Sequence, residues 1–242
     1  MYDDLNNKNI LVVGASRGIG KQLVNTLNEF GSNIYACARN IDDLESLKNN
    51  VSNIVSVHHL DLTSDDSISK FCQDIPEMDG IAIVSGVVKI FPPHMLSRKS
   101  AKNMIETNFT GSMSLIGHLL KYKKIKAHGS IVFTSAGARH NQVNASQVYA
   151  ATKSGLSGFV KTLAADLSKN KINVNAVSFD YVQSEMIESF INEELAKDII
   201  EIMPIEFTSF YYTYLLSDKS RYMTGQIISA ESGRMLSKYR YE

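Results

Sequence analysis

The sequence predicts an α/β protein in which a doubly wound parallel sheet of about seven strands is flanked by helices. Short apolar runs alternate along the 242 residues with amphipathic stretches of helix length, the order typical of parallel sheets with crossover helices. A glycine-rich segment, residues 14–20, separates the first apolar run from the first amphipathic stretch. Since no repeat, low-complexity segment or Pro/Gly-rich linker divides the chain, we expect a single domain over residues 1–242.

Six stretches have the length and composition of β-strands. Most are rich in apolar and β-branched residues, as half-buried or buried strands are. They cover residues 9–13, 33–38, 54–59, 81–84, 130–134 and 171–177.

The segments between these strands have helical periodicity. Residues 63–66 resemble a capping box at the start of one of them. The four prolines lie near predicted element ends, so they leave the helices unbroken. The predicted helices cover residues 18–30, 41–49, 64–74, 100–125 and 148–169.

The last third of the chain predicts further helices, at about residues 184–217. Two helical stretches, 184–202 and 205–216, are separated at Met203-Pro204. Their aromatic residues are expected to belong to the core, because helical spacing accounts for most of them. These are Phe207, Phe210, Tyr211 and Tyr214.

Composition excludes several classes of function. Twenty-five basic residues balance twenty-five acidic ones, so no overall field favours nucleic acid or a membrane surface. The six histidines show no metal-binding spacing, and Cys37 and Cys72 are expected to be buried thiols in a reducing compartment. No apolar run approaches the length of a membrane span and the acidic N-terminus has no targeting core, so a cytoplasmic location is the default expectation.

The glycine-rich segment has the pattern G-x-x-x-G-x-G and runs from Gly14 through Ser16, Arg17, Gly18 and Ile19 to Gly20. Because a helix follows it directly, its backbone amides and the helix N-terminus are expected to bind a pyrophosphate. A simple tight corner is the alternative for this turn taken alone.

Residues after the second and third strands indicate which dinucleotide binds. Enzymes selective for NAD place an acid after the second strand, but this chain has Arg39. Arg39 and Arg17 together predict a charged site for a 2′-phosphate, and therefore NADPH, although two surface arginines are the alternative. Asp61, followed by Leu62, is placed to accept a hydrogen bond from an adenine amino group, or else to cap a helix.

Tyr149 and Lys153 lie four residues apart on a predicted helix, which puts a phenol and an ammonium on one face. A nearby cation favours the phenolate, as proton transfer by tyrosine near neutral pH requires. The alternative is a surface tyrosine packed on a lysine stem.

Taken together, these residues resemble the short-chain dehydrogenase/reductase family in its compact Rossmann-type form, most of all the 3-oxoacyl-carrier-protein reductases. The resemblance covers nearly the whole chain. It implies that residues 224–228 form the last strand of the sheet and that the helices at about residues 184–217 form a lid over the substrate. It implies that Tyr149 protonates the carbonyl oxygen in reduction, and that Lys153 lowers the tyrosine pKa and binds the nicotinamide ribose. It also implies that Asn108, in Thr107-Asn108-Phe109-Thr110-Gly111, maintains a water-linked proton relay.

The resemblance also implies a serine that holds the substrate oxygen. The family places it thirteen residues before the tyrosine, where this chain has Ala136. A one-residue insertion in the loop 139–147 would restore Ser135 to that place, so Ser135 is the expected catalytic serine. Ser146 and Thr134 are the other candidates.

Two family motifs are altered in this chain. Val84-Ser85-Gly86-Val87 replaces the usual Asn-Asn-Ala-Gly, although Ser85 and Gly86 still permit a close backbone approach to the adenosine side of the cofactor. Phe179-Asp180 replaces Pro-Gly, while Val182 and Ser184 match positions that hold the nicotinamide carboxamide.

The expected function is therefore an NADPH-dependent oxidoreductase that transfers hydride between nicotinamide and a carbonyl or secondary alcohol. The alternatives are a nucleotide-binding protein of the same fold with weak or lost catalysis, and a sugar or polyol oxidoreductase. The substrate is expected to be a small molecule, which a carrier protein could present. The resemblance implies a homotetramer or homodimer, and the basic run 121–126 is interpreted as a solvated helix end rather than a carrier-docking patch.

Overall fold

The computed structural model describes residues 2–139, 145–188 and 202–231. Within these ranges, seven strands form one parallel sheet in the order β3-β2-β1-β4-β5-β6-β7. The order reverses between β1 and β4, so the sheet is doubly wound and has a crevice at the carboxyl ends of these strands. The strands are β1 (Asn9–Val13), β2 (Asn33–Ala38), β3 (Ile54–His59), β4 (Met78–Ile83), β5 (Ile125–Ala136), β6 (Asn173–Phe179) and β7 (Ile227–Ala230).

Helices cover both faces of the sheet. In the described ranges they are α1 (Gly18–Glu29), α2 (Ile41–Lys48), α3 (Asp65–Asp74), α4 (Arg98–Ile105), α5 (Gly111–Lys121), α6 (Gln147–Leu167), α7 (Glu185–Glu188) and α8 (Glu206–Leu216). Strand alternation sends Ile131 and Phe133 of β5 to a core shared with α3, α5 and α6. Val132, between them, packs on the opposite face with α1, α2 and α8. The predicted fold class is therefore confirmed.

The bounds of the first three strands agree with those predicted from the sequence, whereas the bounds of the other four strands differ from the prediction. β5 starts at Ile125, earlier than predicted. Ile125 pairs with Met78, and the register between β4 and β5 shifts after this pair. The polar residues that follow Ile125 hide this start from a search for apolar runs. β6 starts after Lys171, whose φ of 57° stops an extended strand, and it continues to Phe179. Residues 224–226 bind β6 through the side chains of Thr224 and Asn175 and through backbone hydrogen bonds of Gly225 and Gln226. Gly225 has φ of 70°, which is incompatible with an extended strand, so β7 begins later than predicted.

The predicted helix 100–125 is wrong as a single element. A π-helical turn, Glu106–Thr110, separates α4 from α5. Such a turn adds a residue to the helical repeat, so the side chains beyond it change face. The capping prediction at residues 63–66 is also wrong, because Ser64 is the N-cap of α3 and accepts from the Ser67 amide at 3.2 Å.

The lid prediction is tested only in part. Residues 189–201 lie outside the described ranges, and the second predicted helix is present as α8. Tyr211 and Tyr214 pack against the core as expected. The expectation is wrong for Phe207 and Phe210, which are 50% and 56% exposed, because the outward face of α8 has no covering element in the described ranges.

Both cysteines are buried, as predicted. In the part of the chain described, no helix is both long enough and apolar enough to span a bilayer.

Candidate active site

A cavity of about 650 Å³ opens at the carboxyl ends of the strands where the sheet order reverses. The glycine turn, the ends of β2 and β3, the turn after β4 and the start of α7 line it. Of the predicted nucleotide-binding residues, all except Val182, Tyr149 and Lys153 contribute to this lining. The contributing residues are Gly14, Ser16, Arg17, Gly18, Ile19, Gly20, Arg39, Asp61, Leu62, Ser85, Gly86 and Ser184.

The glycine turn forms a floor close to the backbone. Gly14 has φ of 88°, and a Cβ there would lie 2.7 Å from the Ser85 nitrogen. A Cβ on Gly20 would collide with the Gly14 carbonyl oxygen. Arg17 is the N-cap of α1 and gives no side-chain hydrogen bond to its first turn. The amides at the start of α1 are therefore open to the cavity, an arrangement that suits a phosphate group.

Cations and carboxylates face one another across the cavity. Arg17 Nη1 lies 3.7 Å from Glu185 Oε2, with both side chains largely exposed. Asp61 Oδ1 accepts from the amide and the hydroxyl of Thr63, each at 2.9 Å. The Thr63 amide is the strongest influence lowering the pKa of Asp61, and the charge of Arg39 adds to it. Asp61 thus stabilises its own turn while it also lines the cavity.

Two hydroxyls of residues that line the cavity have no protein partner and are suited to bind a ligand or water. Ser85 Oγ and Thr107 Oγ1 are fully buried and have no hydrogen-bond partner among the described residues. An unsatisfied buried hydroxyl costs about 1–3 kcal/mol, so such groups usually face a ligand or water. The sequence predicts Ser85 as a site residue but not Thr107, whose one signal is its place beside Asn108. Thr107 lies in the π turn and lines the cavity.

Tyr149 and Lys153 lie one turn apart on α6, with Lys153 Nζ 5.7 Å from the centre of the tyrosine ring. Lys153 is only 3% exposed and donates to the Thr134 carbonyl oxygen at 2.8 Å. A surface pair is therefore excluded. The Tyr149 hydroxyl forms no hydrogen bond within the described ranges, which leaves its proton available to a substrate.

Burial controls the ionisation of both groups. It raises the pKa of Tyr149 to about 12 and lowers the pKa of Lys153 to about 8. Desolvation of the phenolate is the cause of the raised tyrosine pKa, while the Lys153 ammonium is directed at the Thr134 carbonyl oxygen. Tyr149 is accordingly a protonated acid near neutral pH.

Asn108 connects the turn after β4 with α6. Its side-chain amide exchanges two hydrogen bonds with the backbone of Val87 and also donates to Thr152 Oγ1 at 3.4 Å. A Cβ on Gly86 would lie 3.6 Å from both Asn108 Oδ1 and Lys153 Nζ. The structure therefore brings Gly86, Asn108 and Lys153 together, at the end of the cavity that leads to Tyr149.

Ser135 lies beside Lys153. Its hydroxyl donates to the Lys153 carbonyl oxygen at 3.4 Å, on the α6 side of the sheet. Among the described residues no hydrogen bond joins Ser135 to Tyr149. The expected insertion near residues 140–144 lies outside the described residues. Thr134 directs its hydroxyl to the other face, where it donates to Ile83 O and contacts Tyr212 Oη at 2.6 Å.

The turn after β6 is held by packing rather than by a proline. Phe179 is 3% exposed, and its ring lies 5.8 Å from that of Tyr211 and 6.0 Å from that of Tyr212. Val182 pairs with Met203, and Ser184 donates to the Val182 carbonyl oxygen at 3.1 Å. Val182 therefore lies behind the cavity wall to which Ser184 contributes.

Comparison with known proteins agrees with this geometry. The family model described as short chain dehydrogenase matches residues 8–195. A 3-oxoacyl-[acyl-carrier-protein] reductase of Rickettsia felis is 26% identical over 241 residues, covering 96% of this chain and 99% of that protein. A tropinone reductase homolog of Arabidopsis thaliana is 27% identical over 259 residues, covering 98% and 96%.

Solved structures show the same fold. A short-chain dehydrogenase/reductase of Brucella melitensis, described as a glucose/ribitol dehydrogenase, superposes with a TM-score of 0.89 at 19% identity, covering 97% of this chain and 99% of that one. A protein described as a short chain dehydrogenase/reductase family protein gives 0.87 at 21% identity, covering 94% and 97%. Since the family model spans most of the chain, this protein belongs to the short-chain dehydrogenase family, oxidoreductases that bind a nicotinamide cofactor and act on alcohol and carbonyl groups.

Proposed function

We propose that this protein is an NADPH-dependent carbonyl reductase, with a substrate of the kind reduced by 3-oxoacyl-carrier-protein reductases. The observation that carries the proposal is the Tyr149–Lys153 pair beside the nucleotide cavity, in which Tyr149 is half-buried and Lys153 is buried. Tyr149 is protonated near neutral pH and its hydroxyl is unbound among the described residues, so it is equipped to act as an acid. The full-length similarity to a 3-oxoacyl-[acyl-carrier-protein] reductase supports the substrate class.

The residues of this chain suit the proton half of the reaction. A bound NADPH would supply hydride to the carbonyl carbon, and Tyr149 would give its phenolic proton to the carbonyl oxygen, which would yield the alcohol. Tyr149 is left as a phenolate, which the Lys153 ammonium stabilises until a proton returns from solvent. Asn108 holds the turn at Val87 in place, and the water-linked relay along Asn108 and Lys153 is part of the proposal.

Ser135 is the proposed donor to the substrate oxygen. Its present hydrogen bond to Lys153 O is 3.4 Å long, at the weak end of the range, so exchange for a substrate oxygen costs little. Ser146, buried just before α6, and Thr134 remain the weaker candidates. Thr134 already uses its hydroxyl in contacts with Ile83 and Tyr212.

The choice of NADPH over NADH rests on charge. Arg17 and Arg39 both line the cavity, and no acid follows β2 at the position where an NAD-selective site has one. A guanidinium forms paired hydrogen bonds with a phosphate, so Arg39 beside the 2′-position favours the phosphorylated cofactor.

The remaining features of the proposal follow from the resemblance. A single domain over residues 1–242 would carry a substrate lid at about 184–217, and the protein would act in the cytoplasm as a homodimer or homotetramer. Ile105 at the end of α4 and Met113 of α5 are exposed apolar residues, which supports burial of this surface against a second copy.

A second candidate is a nucleotide-binding protein with little catalytic activity. The observation that favours it is the position of Ser135, whose hydroxyl is bonded to Lys153 O, while Ala136 occupies the family's serine position. In that case nucleotide binding is retained but hydride transfer is slow on every carbonyl tested.

One experiment separates the two candidates. Purified protein is mixed with NADPH and a panel of 3-oxoacyl thioesters and ketones, and NADPH oxidation is followed by absorbance. Removing a general acid costs about 10²–10⁴ in rate, so Tyr149→Phe should lower kcat by that factor while its NADPH Kd stays within twofold. The control is Tyr222→Phe, since Tyr222 is 98% exposed. Wild-type NADPH binding without turnover would favour the second candidate, and full activity of Tyr149→Phe would exclude Tyr149 as the acid.

A further inference from the structure

A buried ionic cluster lies at the carboxyl ends of β5, β6 and β7, outside the nucleotide cavity. We call it the Arg139 cluster, and it consists of Arg139, Ser178, Ser229 and Glu231. Arg139 Nε donates to Ser178 Oγ at 3.2 Å, and Nη2 donates to Ser229 Oγ at 2.7 Å. Nη2 lies 3.7 Å from Glu231 Oε1, and Ser178 Oγ donates to the same oxygen at 2.6 Å.

The cluster is placed by the sheet register. Ser178 of β6 pairs with Ser229 of β7 and with Ser135 of β5, so these serines stand in one row on the α6 face. The side chains of Arg139 and Glu231 are only 15% and 5% exposed. Burying charges is expensive unless they are paired and hydrogen-bonded, so this arrangement strongly disfavours other positions of the Arg139 side chain.

Two hydrogen bonds connect this row with the helix that carries the reactive pair. The Arg139 carbonyl oxygen accepts from Ser154 Oγ at 3.1 Å, and Ser154 directly follows Lys153. Ser135 Oγ donates to Lys153 O. Arg139, which closely follows β5, is thus bonded to β6 and β7 through its side chain and to α6 through its carbonyl group.

We propose that Arg139 is a positioning residue of the active site, which anchors α6 to β6 and β7 and thereby fixes the places of Tyr149 and Lys153. This inference rests on the proposed reductase function. Arg139 touches neither of the reacting side chains. It acts by holding the carbonyl group that Ser154 binds, and an error of about 1 Å in such a site can cost about 10²-fold in rate.

The test separates positioning from stability with matched variants. Arg139→Gln takes the guanidinium away from the buried Glu231 carboxylate, so it loses stability as well as geometry. The double variant Arg139→Gln/Glu231→Gln removes both charges, and we expect it to regain most of that stability. Arg139→Lys keeps the charge but has a single ammonium in place of the fork that reaches Ser178 and Ser229 together. Lys126→Gln is the control, because it breaks the 2.8 Å Lys126–Asp79 pair at the amino ends of β4 and β5, far from the Arg139 cluster.

We expect the double variant and Arg139→Lys to bind NADPH with unchanged Kd but to lose at least tenfold in kcat, well below their melting temperatures. Lys126→Gln should lose stability only. Amide hydrogen exchange of residues 147–155 should rise in the Arg139 variants and not in the control. Wild-type kcat and unchanged exchange in both Arg139 variants would overturn the proposal. If the wild type itself reduces no carbonyl, the proposed function fails, and hydrogen exchange alone decides whether Arg139 orders α6.

Discussion

The side-chain amide of Asn108 holds the backbone of Val87 through two hydrogen bonds, each 2.8 Å long. Val87 ends the turn that carries Ser85 and Gly86, where the family usually has asparagines that brace neighbouring strands. In this chain the bracing comes from the π turn between α4 and α5. A polar side chain in the middle of a predicted helix thus supports the wall of the nucleotide cavity.

Replacing Asn108 by alanine should therefore loosen that wall. The two backbone groups of Val87 lose their partners, and an unmade buried hydrogen bond costs about 1–3 kcal/mol, so the unfolding free energy should fall by about 2 kcal/mol or more. The NADPH Kd should rise severalfold, measured by fluorescence titration beside urea unfolding. Asn103→Ala, on the exposed face of α4, is the control. An unchanged Kd would show that the turn holds its shape without Asn108.

The pH dependence of reduction should follow the charge of Lys153. Its ammonium stabilises the Tyr149 phenolate as the proton leaves, and burial lowers the Lys153 pKa to about 8. We therefore expect kcat to fall as pH rises through about 8, measured with saturating NADPH and substrate. In Lys153→Arg the side chain stays charged, so this fall should move to higher pH even if the maximal rate is lower. If kcat of Lys153→Arg still falls near pH 8, the fall is caused by the titration of another group.

The same pKa makes a prediction about stability. The Lys153 pKa is lower in the folded chain than its ordinary value of 10.5, so between about 8 and 10.5 the unfolded chain binds more protons. The contribution of Lys153 to the free energy of unfolding should therefore rise with pH across this window. A difference of about 2.5 pKa units corresponds to roughly 3 kcal/mol. Thermal unfolding of Lys153→Met between pH 7 and 10 should lack this rise.

Cofactor preference should depend on Arg39. Arg39→Asp places a carboxylate where the 2′-phosphate is proposed to bind, so the NADPH Kd should rise at least tenfold while the NADH Kd stays equal or falls. The ratio of the two constants is measured by titration at fixed ionic strength. Arg98→Asp, on the exposed surface of α4, makes the same charge change away from the cavity. Equal changes in both variants would mean that Arg39 acts only through net charge.

Two serine variants test whether Ser135 is the catalytic serine. Ser135 and Ser157 both donate to Lys153 O, at 3.4 and 3.3 Å, but Ser157 does so from within α6. Ser135→Ala should lower kcat at least tenfold without changing the NADPH Kd, whereas Ser157→Ala should leave kcat near that of the wild type. If Ser135→Ala keeps its activity and Ala136→Ser gains activity, the serine position is at Ala136.

Much of the nucleotide site could be predicted because its signals are local. A side chain at Gly14 would collide with the backbone of Ser85, and one at Gly20 would collide with the backbone of Gly14. Such close approaches require glycine, so the glycine pattern in the sequence predicts them. The sequence does not predict Thr107 as a site residue, because Thr107 lies in a π turn that a helical periodicity of 3.6 residues does not reveal. Phe179 was interpreted as the loss of a proline, whereas its packing against Tyr211 shows what replaces that constraint.

By itself, the sequence determined the parallel α/β fold, the glycine turn and the one-turn spacing of Tyr149 and Lys153, because periodicity and backbone geometry are properties of neighbouring residues. Only the tertiary structure decided which face of β5 carries Ser135, that Arg139 meets Glu231, and that burial separates the pKa values of Tyr149 and Lys153. Those features arise from strand register and desolvation, which join residues far apart in the chain and leave no local pattern.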